Sequence, residues 1–192
     1  MRGEIILQKT TKLSLAAIAV VTAIVGLAVS APAIFAQSSG GQYNPQTQFP
    51  VGTRLTFTSF NGLAGQVVGF NTTTERNIIG GFPASAVINA QVDQLTSNDG
   101  IHWTITGGSF VINGQTYTIT GGDGHMGMFD RVSSGMDGYA SGPNGQTYHW
   151  HLAGLSGILN GNGVIVSLTG RLATVQNGAI TAYGLEFLCT MS

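Results

Sequence analysis

Lysine is missing from this chain after Lys12, and only 8% of its 192 residues are charged. From Arg54 to the C-terminus, Arg54, Arg76, Arg131 and Arg171 stand against Glu75, Asp93, Asp99, Asp123, Asp130, Asp137 and Glu186, a balance of −3. So little positive charge leaves no basic surface for phosphate backbones or acidic lipid, which argues against a nucleic-acid partner. The acidic residues are scattered and form no tail. Cysteine is nearly absent too: Cys189 stands alone, so an internal disulfide is excluded. It falls in the apolar register Leu185, Phe187, Cys189, Met191 of an expected last strand, which predicts a buried thiol acting as a small hydrophobe. Motifs of nucleophilic catalysis and of phosphate binding are also missing. Gly154-Leu155-Ser156-Gly157 lacks the spacing of a nucleophile elbow, and Gly-Gly-Asp-Gly at 121–124 is followed by neither a helix signal nor a Lys-Ser/Thr pair.

What the chain does have begins at its N-terminus. Arg2, Lys9 and Lys12 precede Leu13–Ala36, a segment with no charge at all. A basic start, an apolar stretch and small residues at its end are the parts of an export signal. Residues 1–36 therefore read as a signal peptide cleaved after Ala36, with cuts after Ala33 or Ala31 as alternatives. The rival is an uncleaved membrane anchor, because about 20 apolar residues in a helix span a bilayer. Both readings leave the basic end in the cytoplasm and the rest outside, secreted or on the extracellular face of the membrane. Contact with the membrane is then expected only through this segment, and only if it is kept. Residues 37–50, QSSGGQYNPQTQFP, read as a flexible linker, and 51–192 as one β domain. Asn71-Thr72-Thr73 is a glycosylation sequon, usable at Asn71 where the host has the machinery.

Glycine accounts for 27 of the 156 residues after Ala36, far above the usual share of roughly 7%. Lying between β-branched runs without a collagen period, these glycines point to many tight turns. Period-two alternation recurs: Leu55 and Phe57, Ile101, Trp103 and Ile105, Phe110 and Ile112, Tyr117 and Ile119 each alternate with polar residues. Asn113-Gly114, Asn144-Gly145 and Asn177-Gly178 are hairpin turn signals, because a type I′ turn needs positive φ at both central residues. The fold class expected is all-β: a single antiparallel β-sandwich or small β-barrel of about ten hairpin-linked strands, behind an N-terminal hydrophobic export helix. Ala84–Leu95 reads as a strand, although Pro83 and the 3.6-residue spacing also suit a short helix. An internal echo relates NGQTYTITGGDG at 113–124 to NGQTYHWHLAG at 144–154. It aligns Tyr148 with Tyr117 and Trp150 with Ile119, placing the aromatics on a core face and His149 and His151 on a polar one.

The histidines are the candidates for chemistry. His149 and His151 are two apart, so on a strand both imidazoles leave the same face with Cα atoms about 7 Å apart. Neutral imidazole suits zinc or copper, and His102 and His125 are the further candidate ligands. His125 sits in what reads as a glycine-rich loop with Met126 and Met128, and Met136 follows; thioether sulfur beside imidazole would favour copper. Solvated surface histidines and gap-filling methionines are the plainer alternative. Asp123, Asp130 and Asp137 invite comparison with the carboxylate pairs of glycosidases, but each is next to glycine or in a turn-like segment, which assigns them to turns. The functional expectation is a non-catalytic exported domain that binds a small ligand or a surface protein. A metal-binding protein using the His-x-His pair is the alternative, and an extracellular hydrolase the third.

Overall fold

The computed structural model describes residues 45–70, 76–97, 99–129, 131–159 and 163–192. The export segment and the sequon at Asn71 lie outside these residues. Among them, no helix is long and apolar enough to cross a membrane.

Period-two alternation becomes a closed antiparallel barrel in which every strand pairs with its neighbour in sequence and β8 returns to β1. The strands are β1 (Arg54–Phe70), β2 (Arg76–Leu95), β3 (Ile101–Ile112), β4 (Gln115–Phe129), β5 (Arg131–Ser141), β6 (Thr147–Leu159), β7 (Gly163–Gln176) and β8 (Ala179–Met191). Closure joins Phe57 to Met191 and Leu63 to Glu186, leaving no free sheet edge. The barrel alternative of the sequence reading holds, with eight strands in place of about ten. Ala84–Leu95 is strand throughout, inside β2.

The count differs because most glycines lie within strands. Gly107-Gly108 and Gly121-Gly122 take φ values of 130–154°, so β3 and β4 bend there and continue where a turn was expected. Two of the Asn-Gly pairs are true hairpin turns: Asn113 and Gly114 have φ of 49° and 77°, Asn177 and Gly178 of 51° and 77°. At Asn144-Gly145 only the glycine is left-handed, and Gly142 N–H donates to Gln146 O across a five-residue connection, residues 142–146.

An eight-stranded barrel has an interior just wide enough for side chains to fill, and here they do. Phe57, Trp103, Phe110, Tyr117, Trp150 and Phe187 are the bulkiest aromatic groups inside, each at most 1% exposed. They pack ring to ring, Phe57 on Trp103 at 5.6 Å, Phe110 edge-on to Trp150 at 5.5 Å and Phe110 stacked on Phe187 at 6.0 Å. The large rings fit because glycines face them: Trp103 pairs with Gly124, Trp150 with Gly138 and Phe187 with Gly62. A Cβ at Gly138 would lie 2.9 Å from Trp150 Cζ2, and one at Gly124 would meet the Trp103 indole nitrogen. Glycine thus makes room for an aromatic ring across the ladder, a role in packing more than in turning.

The two ends differ. At the end carrying the β2–β3 connection, inside the segment read as linker, a one-turn helix, α1 (Pro45–Gln48), is followed by Phe49, which joins the core. Gln46 Nε2 donates to Thr96 O at 2.6 Å and Gly100 O at 3.0 Å, fastening α1 to that connection. At the end of the Asn-Gly turns, Tyr117 meets Tyr148 edge-on at 5.0 Å and Tyr183 at 6.0 Å. Tyr117 and Tyr148 bear out the internal echo: both are buried on the inner face, and burial pushes both phenols above their ordinary range. Cys189 is buried, and desolvation pushes its thiol up to about 12.

Candidate functional site

Because the lumen is occupied by side chains, polar chemistry sits on the outer wall, and strand register decides what meets there. Inner positions alternate with outer ones, so Trp103 and Trp150 pointing inward put His102, His149 and His151 outside. His125 follows the same rule on β4. The segment around it, read as a loop, is regular strand, because paired glycines can continue a ladder as well as leave it. His102 and His125 are direct cross-strand partners on β3 and β4.

The aspartates assigned to turns also belong to this wall. Asp123 lies in β4 and Asp137 in β5, directly opposite each other. Asp137 is in turn opposite His151 on β6, and His151 is opposite Arg171 on β7. On the other flank, a register shift between Val92 and Gln94 re-aims Asp93 between two β3 side chains. Its carboxylate accepts from Thr104 Oγ1 at 2.5 Å and contacts His102 Nδ1 at 2.6 Å. These two bonds, Thr104 first, hold the Asp93 carboxyl below its ordinary value.

A polar row therefore crosses the strands from β2 to β6. Asp93 holds His102 Nδ1, His102 Nε2 comes within 3.8 Å of Asp123, and His149 Nε2 lies 3.2 Å from Asp137. Between the two halves, Asp123 and Asp137 stand side by side with like charge, an arrangement that costs stability on a sheet. His125 lies flat over Gly135 of β5, its Cε1 2.9 Å from where a Cβ would stand. Tyr139, more than half exposed, packs its ring 5.4 Å from that of His149. All four histidines of the chain are on this wall with Asp93, Asp123, Asp137 and Arg171.

The structure thus brings the sequence candidates to one face but not to one point. Among the described residues no three of His, Cys, Asp and Glu converge so as to hold a metal ion. Of the methionines read beside His125, Met126 and Met136 are buried on the inner face while His125 is on the outer one, and the side chain of Met128 lies outside the described residues. The aspartates were missed as partners of the histidines because their alignment depends on pairing between distant segments. Asp93 alone carried a local signal, the polar face of its alternating run.

No protein-family model matches this chain, and no curated protein or solved structure matches it either.

Proposed function

We propose that this protein is exported and acts as a non-catalytic binding domain at the cell surface, using the outer wall of β2–β7 and not its lumen. One observation carries the reading. Every histidine of a charge-poor chain is gathered, with three aspartates and an arginine, onto one exposed face of a barrel whose interior is already full. A ligand pocket needs a concave, largely apolar space, and six aromatic rings occupy the place where a barrel would keep one. A hydrolase is the weaker reading, because Asp123 and Asp137, opposed across β4 and β5, have side chains 61% and 46% exposed on the outer wall and are not enclosed in a cleft. With histidines neutral, three carboxylates against Arg171 give the face a charge of −2, suited to a cationic patch or ion.

The test uses fluorescently labelled exported protein added back to washed cells of its source. Saturable retention is expected, and replacing Asp93, Asp123 and Asp137 together by Asn is expected to weaken it at least tenfold while the melting temperature is kept. Equal retention of the triple variant would remove this face as the binding surface. Export itself is checked by the mass of the released chain, expected to begin at Gln37.

A further inference from the structure

We propose that the outer wall of β8, β1 and β2 docks a second copy of this chain, face to face about a two-fold axis, with Phe60 at its centre. In the closed strand order β1 stands four strands from β5 in either direction, so this wall lies opposite the row of histidines and aspartates. The first support is a bulge. In the ladder with β8, Ser59 pairs with Cys189 and Asn61 with Leu188, which makes Phe60 the extra residue on β1. The ladder with β2 is irregular over the same stretch, between Thr58 and Leu63. A bulge re-aims a side chain, and this one leaves Phe60 59% exposed. The other described phenylalanines of the barrel are buried or half-buried.

The second support is what surrounds the ring. Val87 of β2 opposes Thr58 and is 39% exposed; Leu63 of β1 opposes Pro83 and is 38% exposed. Leu188 of β8, half-buried, opposes Asn61. Single apolar residues scattered over a surface are ordinary, whereas a group around an outward ring marks an interface. Neutral Thr58, Asn61 and Ser85 lie among them, and an apolar centre with a polar margin is interface anatomy.

Charge decides the occupant. Across residues 58–63, 83–87 and 186–190, Glu186 is the one ionisable residue on the outer wall, and burial raises its carboxyl above the ordinary range. The face of β2–β7, at −2, repels its own copy, while the Phe60 face is close to neutral and complements itself. Self-complementarity is what a two-fold contact requires. A strongly charged partner would meet a single desolvated carboxylate there and little else. Barrel closure leaves no strand edge to extend, so the contact is between side chains. Three strands about 4.8 Å apart and five residues of about 3.3 Å give the apolar centre a footprint of about 240 Å². That is well under the about 800 Å² per partner of a standard interface, so the dimer is weak and dissociates on dilution. On the binding-wall reading, a dimer turns its two histidine walls outward and holds a surface by both. Dimerisation itself does not depend on that reading.

Sedimentation velocity of the exported protein over a concentration series tests the contact. A reversible monomer–dimer equilibrium is expected, its dissociation constant raised at least tenfold by Phe60→Ser and by Val87→Lys. Both side chains are exposed, so the melting temperature is expected to hold in each variant. Val175, 69% exposed at the β7–β8 hairpin and away from the patch, provides the control: Val175→Ser is expected to leave the equilibrium unchanged. A monomer at every concentration, a dimer that survives Phe60→Ser, or equal weakening by Val175→Ser would each overturn the proposal.

Discussion

Gly124 and Gly127 lie three residues apart on β4 and face opposite sides of the wall, so one methyl group added to each tests the filled lumen. A Cβ at Gly124 would press on the Trp103 indole nitrogen and stand 2.8 Å from both Gly135 O and Met136 Cγ. Trp103 is fully buried against Phe57 and cannot withdraw without moving a second ring. Overpacking of this kind costs about 1–3 kcal/mol. The alanine recovers about 0.4–1 kcal/mol by restricting the unfolded chain. Gly124→Ala is thus expected to lose about 1.3 kcal/mol, the middle of the overpacking cost less the middle of the recovery. For a domain of about 150 residues with an unfolding entropy near 2.1 cal/mol/K per residue, that lowers the melting temperature by about 4 °C. A Cβ at Gly127 meets nothing within 4 Å. Gly127→Ala keeps only the unfolded-state term and is expected to melt at or slightly above the wild-type temperature. Differential scanning calorimetry of the two variants decides. Transitions within about 1 °C of each other would refute the claim that Trp103 occupies the space over Gly124.

Other consequences follow from the charged wall and the thiol. Asp93 is held below its ordinary value of 3.8, so its contribution is complete above that pH and is lost as the pH falls below it. Asp93→Asn should flatten the acid limb of the melting temperature between pH 5 and 2.5, with a change below about 1 kcal/mol because the pair is exposed and screened; an unaltered limb would contradict the Thr104 and His102 bonds. Cys189 has the opposite sign. Burial raises its thiol from 9.0 to about 12, so folding keeps its full contribution below pH 9 and loses it as the pH climbs toward 12. Iodoacetamide at pH 8 should leave the native protein unmodified and label it fully in denaturant, read by mass spectrometry. Labelling at equal rates in both would show that Cys189 is not enclosed.

How much of this could be read from the chain depends on whether a feature is local. Alternation alone puts Trp103, Tyr117, Trp150 and Cys189 inside, and the echo between residues 113–124 and 144–154 sends His149 and His151 outward. Barrel and sandwich share that alternation, so closure of β1 on β8 was not legible in it. The glycines misled for a physical reason. Beside a tryptophan on the next strand, as Gly124 is beside Trp103, glycine supplies space, but the neighbour is unknown until pairing is known. Asp123 and Asp137 were read as turn residues because each adjoins glycine; their contact with each other and with β6 follows from register alone. The bulge that aims Asp93 at His102 is equally invisible in a single strand.

Binding through the outer wall changes what solvent can reach on β3, β4 and β6. Diethylpyrocarbonate footprinting of the histidines, with the protein free and then bound to washed cells, measures that most directly by mass spectrometry. His102, His125, His149 and His151 are all expected to react in the free protein and to be protected together on binding. Four histidines that stay as reactive in the bound protein as in the free one would contradict it.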